Sequence, residues 1–191
     1  MRFFSLLSLI VIFICSNAFA AKPSSQQGTI AILANWQVTV DQIPQTGMPN
    51  VILWIKSDND IPANDPDNPQ QLPVTMSVTC SKKTGLEQPL FTILYPNMVF
   101  DTATQSLTFI IDGVAQPAVT AGVKKQISGN SSGFLMTFDT KTGDDLLNRM
   151  KNHHSLAVAI NRDGYDIYNG KFTIDKTAEA VTSLNYCTGK K

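Results

Sequence analysis

Apolar and polar positions follow a two-residue period over most of the chain. Val74-Thr75-Met76-Ser77-Val78-Thr79-Cys80 alternates without a break. That predicts a half-buried strand with Val74, Met76, Val78 and Cys80 on one face. Trp36, Val38 and Val40 alternate with Gln37 and Thr39 in the same way, following a first β-prone run at residues 29–34. Val51-Ile52-Leu53-Trp54-Ile55 is apolar on both faces, the pattern of a central strand. Further short strands are predicted at residues 91–95, 97–100, 106–111, 123–127, 134–138, 155–161, 165–168 and 171–174. Asp112-Gly113 is a tight-turn signal opening a hairpin to Val114, and Asp163-Gly164 is a second one. Pro44, Gly47 and Pro49 punctuate another turn, as do residues 129–133.

Two late segments change period. Leu146, Leu147 and Met150 make one apolar helical face, and Thr142 and Asp145 stand at capping-box spacing before it. Asp144 and Asp145 then fall in the first turn. Arg149, Lys151, His153 and His154 fall at the end, the charge order that a helix dipole favours. A helix over 142–151 is the result. Ala180, Val181 and Leu184 predict a second short helix, capped by Asp175 or Thr177. Residues 29–34 and 36–40 read as two strands or one long bent strand. With the runs interrupted at Pro96 and at Asn169-Gly170 counted once each, roughly nine strands with two short helices near the C-terminus define a mainly β chain, an antiparallel β-sandwich or sheet on the border with α+β.

Residues 57–73 break the pattern. They hold Asp58, Asp60, Asp65 and Asp67 together with Pro62, Pro66, Pro69 and Pro73. Proline cannot donate to a ladder, so this stretch is expected to be a long surface loop. Its carboxylates raise the question of a calcium site, but the glycine and closing glutamate of an EF-hand are missing from their places. A solvated loop is the expectation, with no metal. A long loop held on a rigid sheet is a natural partner-contact element, and these four aspartates are its candidate contact residues.

Residues 1–20 read as a removable export signal. Met1-Arg2 is the positive start, residues 3–15 the apolar stretch, and Ala18-Phe19-Ala20 the cleavage pattern. The apolar run is too short for a spanning helix. Polar residues 21–28 read as a flexible lead-in, and 29–191 as one β-rich domain. Cleavage leaves 14 basic side chains against 15 acidic ones, a balance without the basic footprint of a nucleic-acid binder. No polybasic run points to a membrane surface. Cleavage also removes Cys15, and the two remaining thiols of an exported chain, Cys80 and Cys187, are expected to form a disulfide. Asn130-Ser131-Ser132 matches a glycosylation sequon.

The last eighty residues also resemble a known group. Asp112-Gly113, a β segment reaching Phe134, the Asp145-Leu146-Leu147-Asn148-Arg149-Met150 helix, Leu156-Ala157-Val158, and Gly170-Lys171-Phe172-Thr173-Ile174 before a closing helix carry the likeness. This order resembles the C-terminal half of invasion-associated locus B-like periplasmic proteins, and of related exported proteins found with type VI secretion clusters. The resemblance implies a non-catalytic envelope protein of a Gram-negative bacterium, periplasmic or secreted. It implies no catalytic residue.

Candidate chemistry is sparse. His153 and His154 are adjacent, so their side chains diverge and do not chelate one ion as an i, i+4 pair would. There is no Gly-x-Ser-x-Gly elbow and no phosphate-cradling glycine loop. Cys80 and Cys187 have no CxxC partner. Trp36, Trp54, Tyr165, Tyr168 and Tyr186 either fill the core or line a sugar- or peptide-binding face. The expectation is an exported binding or structural module that needs no cofactor and contacts another envelope or host macromolecule. The competing expectation is a small secreted hydrolase using His153 or His154. A histidine beside Asp and Ser in a cleft would favour the hydrolase; both histidines on a flat polar surface would favour the module.

Overall fold

In the computed structural model, a single antiparallel sheet of eleven strands wraps around one core. The structure describes residues 29–42, 49–63, 65–67, 69–81, 86–128, 131–161 and 169–188. The expected export signal and lead-in, the expected turns at Pro44 and Gly47 and at Asp163-Gly164, the sequon asparagine Asn130, and Tyr165 and Tyr168 lie outside these residues.

The strands are β1 (Thr29–Leu33), β2 (Trp36–Gln42), β3 (Pro49–Ile61), β4 (Leu72–Ser81), β5 (Leu86–Pro96), β6 (Thr104–Ile111), β7 (Val114–Ala115), β8 (Val119–Ser128), β9 (Ser131–Thr137), β10 (Ser155–Ile160) and β11 (Gly170–Thr173). Helix α1 (Thr140–Met150) precedes β10. Helix α2 (Thr177–Thr182) and a last helical turn, α3 (Asn185–Thr188), follow β11. The order across the sheet is β1-β2-β3-β4-β5-β9-β8-β6-β10-β11, with β7 pairing β6.

Alternation decides which residues enter the core. Leu53 opposes Val38 and Val78, Val51 opposes Cys80, and Met76 opposes Ile93. All of these face inward and are buried. The same holds on the far side, where Phe109 opposes Val158 and Leu156 opposes Phe172. Phe91, Phe109 and Phe138 pack edge to face or tilted at the centre, with ring centroids 5.4–6.4 Å apart. The expected hairpin at Asp112-Gly113 is present, with Ile111 opposite Val114 and positive φ at both turn residues.

The sheet curls until β11 lies against the far half of β3. Here the join is made by side chains. Asn59 donates from Nδ2 to the Asn169 carbonyl (3.0 Å) and accepts on Oδ1 from the Lys171 amide (2.8 Å). Thr173 Oγ1 donates to Asp58 (2.8 Å). An asparagine side chain carries the same donor and acceptor as a peptide group, so Asn59 stands in for one rung of a ladder. Gly170 makes the close approach feasible: a Cβ there would come 3.1 Å from a Val74 methyl.

Several local expectations are corrected. β3 does not stop at Ile55. Ser57 is buried at the next inward position and Ile61 is buried further along, while Asp58 and Asp60 point outward. The register with β4 slips between Lys56 and Asp60. Ser57 Oγ accepts from the Val74 amide (2.8 Å) and donates to the Asn59 carbonyl (2.6 Å), covering backbone groups that the slip displaces. The predicted loop therefore shrinks to residues 62–71, and Asp58 and Asp60 belong to a strand. The outer face of β3 is also less apolar in function than in sequence: Ile52 and Trp54 are half-buried, with Lys56 Nζ 5.9 Å from the Trp54 ring centre.

Residues 97–100 form no strand. Asn97 adopts φ 52°, a left-handed geometry that asparagine tolerates, and turns the chain. Helix α1 is capped by Asp139, not Thr142: the Asp139 carboxylate accepts from the Thr142 amide (3.0 Å) and hydroxyl (2.6 Å). Asp144 and Asp145 consequently sit one turn in, past the first-turn positions. Neither proposed residue caps α2. Lys176 holds that place at φ 64° without a side-chain cap, and Thr177 is fully buried.

Candidate functional site

Two grooves among the described residues flank α1. One, of about 160 Å³, lies between α1 and the terminal helices and is lined by Pro89, Asp144, Leu147, Lys151, Val181 and Leu184 among others. The other, of about 100 Å³, is lined by Gln116, Pro117, Val119, Asp145, Leu146 and Arg149 with Thr142. Both are small beside a typical ligand pocket of roughly 300–1,000 Å³. Neither contains a histidine.

The chemistry-bearing side chains meet elsewhere, where the chain leaves α1 and enters β10. Asp112, at φ 45° in the β6–β7 turn, is the centre of this cluster. Its Oδ1 accepts from the Ser155 amide (2.8 Å), the Ser155 hydroxyl (3.1 Å) and the His154 amide (3.1 Å). Its Oδ2 lies 2.8 Å from His153 Nδ1. The Ser155 amide foremost, then His153, hold the Asp112 carboxyl well below the usual carboxylate range. His154 Nδ1 lies 2.6 Å from Asp175 Oδ1 at the β11–α2 junction, and that hydrogen bond raises the His154 pKa. The two histidines thus reach past the helix end and each binds a carboxylate from another segment. The expected role at the α1 terminus is corrected: α1 ends at Met150 with Lys151 as its cap residue.

A histidine does stand beside an aspartate and a serine, but not in hydrolytic order. In a catalytic triad the imidazole bridges the acid and the nucleophile. Here the carboxylate is in the middle, and His153 and Ser155 bind its two different oxygens. The cluster is open to solvent, with His153 and Asp112 side chains 45% and 37% exposed and His154 86% exposed. Its geometry ties three segments together: the β6–β7 turn, the α1–β10 junction and the β11–α2 junction.

The four aspartates do not converge. Asp58 is bound to Thr173 at the seam, Asp60 is exposed on β3, and Asp65 and Asp67 lie in the 62–71 loop. Asp65 Oδ1 accepts from the Asp67 amide (3.0 Å), a local turn. The loop is also anchored. The Asp65 amide donates to the Asn97 carbonyl (3.2 Å), and Asn97 Nδ2 donates to the Gln70 carbonyl (2.8 Å). Among the described residues no group of three or more His, Cys, Asp or Glu could hold a metal ion.

Cys80 and Cys187 form a disulfide, with Cα atoms 6.0 Å apart and a sequence separation of 107. It fastens α3 to the end of β4. Trp36 is core: fully buried, its Nε1 donates to Thr177 Oγ1 (3.0 Å). Trp54 lies on the outer face, and the side chains of Tyr165, Tyr168 and Tyr186 are outside the described residues. In the sequence Asp112 is marked only as a turn former before Gly113, and Asn59 sits in a proline-rich stretch with the pattern of a loop, so neither stands out as a site residue.

The fold defines the chain as a disulfide-closed, curled antiparallel sheet with a helical cap. No family model, no curated protein and no solved structure matches it. No described helix is long and apolar enough to cross a membrane.

Proposed function

We propose that the chain is an exported bacterial envelope or secreted protein, periplasmic or extracellular, that works as a non-catalytic binding or structural module. One observation carries this reading. The His153–Asp112–Ser155 cluster, the best convergence of reactive side chains, has the carboxylate at its centre and spends it on holding segments together. Export is supported by the leader pattern and by the disulfide, a bond typical of oxidising compartments. The likeness of the C-terminal half to invasion-associated locus B-like and type VI secretion-associated proteins points the same way.

The partner is another envelope or host macromolecule, contacted through the acidic 62–71 loop and the exposed Asp60 beside it. Removing the loop outright would strip Asn97 of partners, so charge is the better probe. Asp60→Asn with Asp67→Asn should weaken partner capture several-fold and leave the melting temperature within a degree or two. Undiminished capture by the double variant would refute the loop as contact surface. Export is tested by expressing the full chain in a Gram-negative host and weighing the extracytoplasmic product. A mass beginning at Ala21 with Cys80 and Cys187 oxidised is expected. An uncleaved, reduced cytosolic protein would overturn the reading.

A further inference from the structure

We infer that β1 is a self-association edge, on which a second copy of this chain adds its own β1 to form a continuous antiparallel sheet across a two-fold axis. The inference rests on how the fold treats its strand edges. β11 is sealed against β3 by Asn59. β7 is only two residues long. Where β8 runs past β6 it carries Lys124 and Lys125, and its Val123 amide is taken by the Ala103 carbonyl. Short edges, lysines and covering contacts are the ordinary protections against edge pairing.

Among the described residues, β1 has none of these protections. It pairs with β2 on one side, and no described strand pairs with the other. Thr29-Ile30-Ala31-Ile32-Leu33 holds no charge, proline or glycine, and Ile32 is 70% exposed.

The register follows from the hairpin. Leu33 opposes Trp36 across a two-residue turn, so Leu33, Ala31 and Thr29 direct their backbone groups at β2. The N–H and C=O of Ile30 and Ile32 then point out from the edge. Two copies placed antiparallel about Ala31 set Ile30 of each opposite Ile32 of the other. All four N–H groups and all four carbonyls are then positioned for a symmetric ladder. An antiparallel pair of identical strands is itself two-fold symmetric, so the contact closes as a dimer and does not grow into a fibre. A charged partner strand would find no opposite charge on this edge, whereas a second β1 brings no charge to be buried. The outward row Ile32, Gln37, Trp54 becomes continuous across both copies. One strand pair is a small interface, so the dimer is a weak one. None of this depends on the partner-binding role of the acidic loop.

The test is sedimentation velocity on the mature, oxidised chain from low micromolar to near-millimolar concentration, beside Ile32→Lys and Ile32→Pro. Both substitutions fall on an exposed side chain whose amide faces away from β2, and melting curves monitor the fold. The wild type should move reversibly from one to two copies, and both variants should stay monomeric over the same range. A second reading is independent of those variants. Ala31→Cys should oxidise to a covalent dimer, because Ala31 meets its own copy at the axis, while Ile32→Cys should cross-link far less. A wild type that remains monomeric throughout, a dimer that persists in Ile32→Lys, or Ile32→Cys cross-linking as well as Ala31→Cys would each overturn the assignment.

Discussion

Single residues show where the fold holds tension. Tyr95 is fully buried, and its hydroxyl has no hydrogen-bond partner among the described residues; burial alone pushes its pKa up. A buried donor left unsatisfied costs about 1–3 kcal/mol. Phenylalanine keeps the ring packed edge-on to Phe100 and removes that cost. Tyr95→Phe should therefore raise stability by about 1 kcal/mol in a denaturant titration. A loss of that size would mean the hydroxyl is bonded after all. His154 supplies a pH signature. Its pKa is raised by Asp175, so the folded chain binds the proton more tightly than the unfolded one. The contribution is fully present below the unfolded histidine value near 6.5 and disappears as pH rises through the higher folded value. The melting-temperature gap between wild type and His154→Gln should thus be wider at about pH 5 than at about pH 9. A gap that widens with rising pH would contradict the pairing. Asp112 shows why part of the site escaped sequence reading. A turn aspartate before glycine looks complete in itself, and nothing nearby in sequence announces that Ser155 and His153 will fold onto it.

At the scale of elements, alternation was a reliable guide wherever one face is core and the other is solvent, as in β4 and β10. It failed where polar residues face inward with a structural purpose. Ser57 and Asn59 take inward or seam positions on β3 because they replace backbone hydrogen bonds. Read without that knowledge, they merge with the prolines into a false loop. Caps shifted for a related reason, since Asp139 and Thr142 each fit a capping pattern and only the path of the chain out of β9 chooses between them. The terminal helices are the least self-sufficient elements. α2 and α3 have ten residues between them, held by the Trp36–Thr177 bond and by the disulfide. A cross-link closing a loop of this length contributes up to about 4–5 kcal/mol through chain entropy. Cys187→Ala should lower the melting temperature by several degrees, at about 2–4 °C per kcal/mol, under oxidising conditions. Under reductant it should match the wild type. Equal melting in both conditions would show the bond to be absent in solution.

For the whole molecule, mainly β class, the antiparallel arrangement, the late helices and the disulfide pair were all legible, because each leaves a periodic or compositional trace. The curl of the sheet was not. It depends on contacts more than a hundred positions apart, between Asn59 and the 169–171 stretch, which leave no local pattern. The functional reading rests on the same long-range geometry, since only the fold brings Asp112 between His153 and Ser155 and so makes the cluster a clasp. Its most direct test is turnover. The purified, oxidised mature chain is incubated with ester, peptide and glycoside substrates beside His153→Ala and Ser155→Ala variants. The account predicts product formation at the buffer rate for all three proteins. Wild-type turnover above that rate, abolished in either variant, would contradict it.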